Sequence, residues 1–340
     1  EVLKGASSAL YGSDAMGGVI SFRSLEANDI LKDGEDNSFE IPFSYNGANQ
    51  GFNEAIKWGT RFNDKLSGAF VISKEDSSEF DVKSDEKYIN DSSSDGLTLF
   101  SNISYNINDD TTANFIFENV QRDSNEEAKP DNLKTRARVG GTYQYDYTKL
   151  KSSIESDRNR YSLAIKYDNP NDQKFIDYSK IQIFTQTIDV EDDSERDYTY
   201  YPGGPNGYSY SKVHDYSYEN DSYGGEIELK SNINSGNKDH NLTYGFEYNK
   251  EDSKRVKTTN SSGTITTVKD SPDNETDRFG IYLQDEINYD NWDLIAGVRY
   301  DSYDLKVTSD SEYTSNGDNV DTPVGSSENS ISPKLAALYK

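Results

Sequence analysis

The chain of 340 residues is long enough for one large all-β domain or two ordinary ones, and 35 Lys and Arg against 61 Asp and Glu leave a net charge of −26 that repels nucleic-acid phosphates and anionic membrane surfaces. It has no Cys and only two His, His214 and His240, which excludes thiol chemistry, a disulfide framework and a multi-His metal centre. No apolar run approaches the roughly 20 residues of a membrane-spanning helix, whereas 26 Tyr and 14 Phe beside one Met suit a β-barrel, whose lipid face takes only every second residue.

The opening stretch, EVLKGASSALYGSDAMGGVISFRS (Glu1–Ser24), predicts a short apolar strand, a turn of small residues, paired glycines and a second apolar strand. From Asn37 onward, runs of about ten residues alternate apolar and polar with period two. In HNLTYGFEYNK, Leu242, Tyr244, Phe246 and Tyr248 share one face; in WDLIAGVRYDSY, Trp292, Leu294, Ala296, Val298 and Tyr300 do; in RFGIYLQDEINY, Phe279, Ile281 and Leu283 do. About twelve such strands fill residues 37–340, with almost no helix between them.

The connections alternate. Short links fall at 63–65, 108–110, 169–172, 234–239 and 289–291, and long Ser-, Asp-, Asn- and Gly-rich segments, expected to be loops, at about 76–96, 123–157, 193–221, 253–276 and 308–330. An outer-membrane barrel has short periplasmic turns and long extracellular loops. A soluble sandwich or propeller has no reason to alternate in this way. Tyr45, Trp58, Tyr105, Tyr167, Tyr289 and Trp292 lie near strand ends, where an aromatic girdle meets the membrane interface. Acidic stretches such as DVEDDSERD read as solvated loop surface, or as a vestibule for cationic partners.

The opening resembles the last part of the plug domain of TonB-dependent outer-membrane receptors, in which an EV(L/I)KGP segment leads to S(A/S)LYG and then to a GGVI strand entering the barrel. The match runs through Glu1 to Gly5, Ser8 to Gly12 and Gly17 to Ile20, with Ala6 where Pro is frequent. Its plug-motif residues are Gly5, Leu10, Tyr11, Gly12, Gly17 and Gly18, and the glycines allow tight turns and close backbone approach. The closing ISPKLAALYK resembles a middle strand of the same receptors. The resemblance implies a transmembrane antiparallel β-barrel. Residues 1–24 would end the plug, 25–36 would link it to the barrel, and 37–340 would form the N-terminal half of a barrel of roughly 22 strands. The chain is then expected to be an internal fragment, lacking signal peptide, TonB box, most of the plug and the later strands. It implies active import rather than catalysis, with the TonB-ExbB-ExbD complex as energy-coupling partner in the outer membrane of a Gram-negative bacterium. Two His far from any Ser nucleophile elbow offer no enzyme reading, and a plug argues against a passive porin or adhesin.

Within that family, GGVISFRSLEANDILKDGED resembles the haem and haemoglobin receptor branch at Gly17–Ile20, Ala27, Asp29, Leu31 and Gly34, departing at Asn28 and Ile30. The implied cargo is haem, free or from haemoglobin, with no intrinsic cofactor and with axial ligands outside Glu1–Lys340; the alternative is a ferric siderophore. In the segment expected as a loop before His214, Tyr200, Tyr201, Tyr208 and Tyr210 are either a recognition surface or a self-packed turn. His214 is either an outward group able to ligate or stack on a porphyrin or an ordinary loop residue. His240 sits beside a predicted periplasmic turn, on the wrong side for capture.

Overall fold

The structure, a computed structural model, describes residues 2–4, 18–20, 23–80, 90–128, 137–139, 142–169, 175–201, 206–269, 271–311, 313 and 323–340. In chain order the elements are β1 (Val2–Lys4), β2 (Gly18–Ile20), α1 (Ala27–Ile30), β3 (Asn37–Glu40), β4 (Phe43–Asn46), β5 (Gly51–Arg61), β6 (Leu66–Ser78), β7 (Asp91–Asn108) and β8 (Thr111–Glu127). They continue as β9 (Ala137–Val139), β10 (Thr142–Asp168), β11 (Tyr178–Tyr200), β12 (Tyr208–Ser235), β13 (Lys238–Ser261), β14 (Thr264–Val268), β15 (Asp273–Tyr289), β16 (Trp292–Ser309) and β17 (Ser326–Tyr339).

Apart from the β1–β2 pair, the described strands form a single antiparallel sheet in which sequence neighbours lie side by side. Its main path takes twelve strands from β17 to β3, in agreement with the twelve expected. The fold is all-β and barrel-like, with β3 and β17 at its edges. Of the plug-motif residues, Gly18 lies in β2; Gly5, Leu10, Tyr11, Gly12 and Gly17 lie outside the described residues.

Alternation places one side chain in two on each face, and the faces differ. One register row runs Leu66, Tyr105, Ala113, Ile165, Ile181, Ile227, Phe246, Ile281, Tyr300, Ile331 across ten neighbouring strands. The adjoining inner row is Ser104, Asn114, Ala164, Gln182, Glu226, Glu247, Gly280, Asp301. The apolar row is largely exposed on the isolated chain, with Ile181 at 49% and Ile331 at 69%, while the fully buried apolar residues among those described are small or few. This is a soluble core turned inside out, and lipid is the medium that covers such a face. No helix among the described residues is long and apolar enough to cross a membrane.

Short turns join β5 to β6, β7 to β8, β12 to β13 and β15 to β16, as expected. Of the segments expected as long loops, 123–157, 193–221 and 253–276 prove to be largely strand. β11 runs on to Tyr200 and β12 starts at Tyr208, so most of 193–221 is paired; β8 and β10 likewise extend into 123–157. The physical reason is that both faces meet water there. The apolar stripe disappears while the backbone still needs its hydrogen bonds. Within 253–276, β13 turns back into β14 through Ser262 (φ 51°) and Gly263 (φ 94°), the paired positive φ values of a two-residue hairpin.

At the opposite end, α1 lies against the inner wall. Ala27 and Ile30 are buried beside Gly59 and Ala69, and Asn102 Nδ2 donates to the Leu25 carbonyl at 2.9 Å. A capping box joins Glu26 and Asp29, and the Arg23 guanidinium, 2.6 Å from Asp29, holds that carboxyl below its ordinary range.

Candidate functional site

Two levels of the inner face carry polar chemistry. Nearer the membrane band, Arg160, Gln182, Glu226, Glu247, Arg278 and Arg299 line a concavity of ≈ 730 Å³. Its central cation is neutralised: Arg299 is 4% exposed, donates through Nε to Asp301 at 2.7 Å and through Nη2 to Glu247 at 2.9 Å, and lies 5.5 Å from the Tyr282 ring centre. Arg278 donates to Glu251 at 2.6 Å.

Further out on the same face, beyond the apolar band and away from α1, the balance changes. In YSYSKVHDYSY the even positions of β12 are Tyr208, Tyr210, Lys212, His214, Tyr216 and Tyr218, and the unbroken register with β11 and β13 keeps them on one side. Tyr200 pairs with Tyr208 and Tyr198 with Tyr210, the latter rings stacked at 5.5 Å. A bulge at Thr148 re-aims β10, so that Tyr147 meets Tyr198 at 5.6 Å. Lys212 lies over the Tyr198 ring (5.7 Å), Lys257 over Tyr216 (5.0 Å) and Arg255 over Tyr218 (5.6 Å). Among the described residues no carboxylate forms an ion pair with Arg196, Lys212, Arg255 or Lys257.

His214 sits in the middle of this surface, in a strand rather than the expected loop, and faces inward. It is 9% exposed, and its Nδ1 is 2.9 Å from Thr259 Oγ1. Burial lowers its pKa, and the charges of Lys257, Arg196 and Lys212 lower it further. Of the residues singled out from the sequence, His214, Tyr200, Tyr208 and Tyr210 share this face. Tyr201 lies beyond the end of β11, packed where a Cβ on Gly207 would stand 2.7 Å from its ring. Residues 202–205 lie outside those described. Sequence reasoning missed Tyr147, Tyr216, Tyr218 and the four cations, although the alternation of Tyr, Lys and His along β12 was there to find them. His240 lies in β13 near the turn to β12, 2.8 Å from Asp285.

The outer face of the same strands is acidic. Asp76, Asp95, Asp123, Glu155 and Glu191 form one register row over five strands, and Asp193 faces Asp215 beside it.

A family model described as TonB dependent receptor-like, beta-barrel, matches residues 90–340. The chain belongs to that family of TonB-dependent receptor barrels. No curated protein matches it significantly. Among solved structures it is similar to the siderophore receptor PiuA from Acinetobacter baumannii, at 13% identity over 99% of this chain and 50% of that one, with a TM-score of 0.59. It is similar to FpvA of P. aeruginosa bound to heterologous pyoverdines, at 14% identity over 100% and 44%, with a TM-score of 0.67. It is also similar to the Serratia marcescens hemophore receptor HasR in complex with its hemophore HasA and heme, at 14% identity over 100% and 46%, with a TM-score of 0.58. These likenesses establish the fold. The chain spans about half the length of these three proteins.

Proposed function

We propose that this chain forms half the wall of an outer-membrane receptor that imports an iron chelate bearing acidic groups into the periplasm of a Gram-negative bacterium. Residues 1–24 end a plug, 25–36 tie it to the wall, and 37–340 supply strands and extracellular extensions. The TonB-ExbB-ExbD complex acts on the plug to open the path. The protein supplies no catalytic group and no cofactor of its own; the iron complex is cargo.

The observation that carries this reading is the lumen-facing array of tyrosines with Arg196, Lys212, Arg255 and Lys257 unneutralised on a chain of net charge −26. Flat aromatic faces and unpaired cations suit a large conjugated or chelating anion. Haem, with a flat ring and two propionates, meets both requirements and is the cargo implied by the linker resemblance. A ferric siderophore with acidic oxygens is the second reading. It is favoured by the burial of His214 and its hold on Thr259, which leave that imidazole poorly placed to ligate iron.

The test uses the full-length receptor in detergent. Haem is followed through its Soret band and ferric siderophores through quenching of protein fluorescence, each with the parent and with a Lys212→Gln, Lys257→Gln variant. Binding of either chelate, weakened at least about tenfold in the variant, is expected from loss of two charge-assisted contacts. Failure of every iron chelate to bind overturns the reading, and binding of siderophore without haem decides for the second.

A further inference from the structure

We propose that Ser194, Arg196, Lys212, His214 and Lys257 form a proton-linked carboxylate subsite, at which an acidic group of the incoming ligand is bound as His214 takes up one proton from solvent. The inference rests on the lumen being the ligand's path. It adds a place on that path and a pH dependence that the import reading does not require.

The register supplies the geometry. Ser194 and Thr259 flank His214 on the two neighbouring strands, Arg196 is paired with Lys212, and Tyr216 with Lys257. Directly opposed side chains stand about 5 Å apart at Cβ and diagonal ones about 7–8 Å, so the group falls within reach of one or two carboxylates. Two polar atoms there are buried and unpartnered, Ser194 Oγ and Arg196 Nε, and Ser194 is only 6% exposed. Buried donors left without acceptors are costly, and an arriving carboxylate would satisfy both.

The charges facing His214 are known from each packed element. On β11 these are Arg196 and Asp192, the latter accepting from Ser152 Oγ of β10 at 3.1 Å. On β12 Lys212 faces it, whereas Asp215 points to the outer side opposite Asp193; on β13 Lys257 and Arg255 lie along the same face. Empty, the subsite is cationic, and burial together with these cations keeps the imidazole neutral. A bound carboxylate cancels that field. With Nδ1 engaged by Thr259, Nε2 takes the proton and donates to the ligand oxygen. Binding and proton uptake are then reciprocal.

The probe is tricarballylate, a soluble tricarboxylate, titrated calorimetrically into the full-length receptor in detergent between pH 5.5 and 8, in buffers of different ionisation enthalpy. Affinity is expected to rise about tenfold from pH 8 to pH 6, with uptake of up to about one proton per ligand. His214→Gln should keep binding but abolish both the uptake and the pH dependence. Lys212→Gln with Lys257→Gln should weaken binding at every pH and, without ligand, bring the imidazole titration seen by NMR up towards 6.5. A flat affinity profile in the parent, uptake persisting in His214→Gln, or no tricarballylate binding at millimolar concentration overturns the subsite. Loss of iron-chelate binding with this profile intact would overturn the import reading and leave the subsite standing.

Discussion

A side chain on these strands meets lipid, lumen water or extracellular water, and what a substitution does depends on which. Gly59 faces the lumen where α1 presses on the wall; an added Cβ would stand 2.8 Å from Ile30 Cβ and 3.0 Å from the Ala27 carbonyl. Gly59→Leu should push α1 off at a cost of about 1–3 kcal/mol. Faster amide exchange over residues 25–31, with the rest of the barrel unaffected, checks this. His214 carries a pH effect whose sign follows from its lowered pKa. Between that value and the ordinary 6.5, the unfolded chain binds a proton that the folded hairpin does not. Stability of the outer β11–β13 region should therefore fall as pH drops through 6.5. Exchange rates over 208–218 at pH 7.5 and 5.5 measure it, and His214→Gln should remove the dependence; an unchanged dependence would exclude His214 as its source.

At the scale of the element, β11 shows why part of the fold was hidden. DVEDDSERD reads as an acidic loop by composition, yet Asp189, Glu191, Asp193, Glu195 and Asp197 alternate strictly with Val190, Asp192, Ser194 and Arg196. The period of two is present, but it is expressed in charge rather than hydrophobicity. Apolar alternation made the membrane-level strands legible, because lipid and lumen demand opposite polarity. Outside the membrane that demand lapses, so strand lengths and the lumen cations of β12 and β13 were not recovered. The packed carboxylates carry a cost. Partial desolvation, followed by the facing Asp215, raises the pKa of the exposed Asp193, so the folded hairpin gains relative stability as pH falls through that raised value. Asp193→Asn should slow exchange in the outer halves of β11 and β12, a gain of about 0.2–1 kcal/mol that high salt reduces. Equal exchange in parent and variant at low salt would show that the facing charges are already relieved.

For the whole molecule, the decisive property is the continuous apolar row from Leu66 to Ile331. Ile227→Arg, on that row, should cost about 2–4 kcal/mol of folding free energy in bilayers. Ser222→Arg, on the inner face of the same strand, should cost far less. Folding yield into liposomes, read by resistance to detergent denaturation, distinguishes them; equal losses would mean that the row does not face lipid. β12 spans 28 residues, about 90 Å along the strand at roughly 3.3 Å per residue, against the 9–11 residues that cross a bilayer. Hydrogen bonded almost to its tips, that extension is a chimney rather than a ring of flaps. Cargo entering it would descend a fixed shaft, handed from ring to ring and cation to cation, and selection would be made by the length of wall it can follow before any gate has to move.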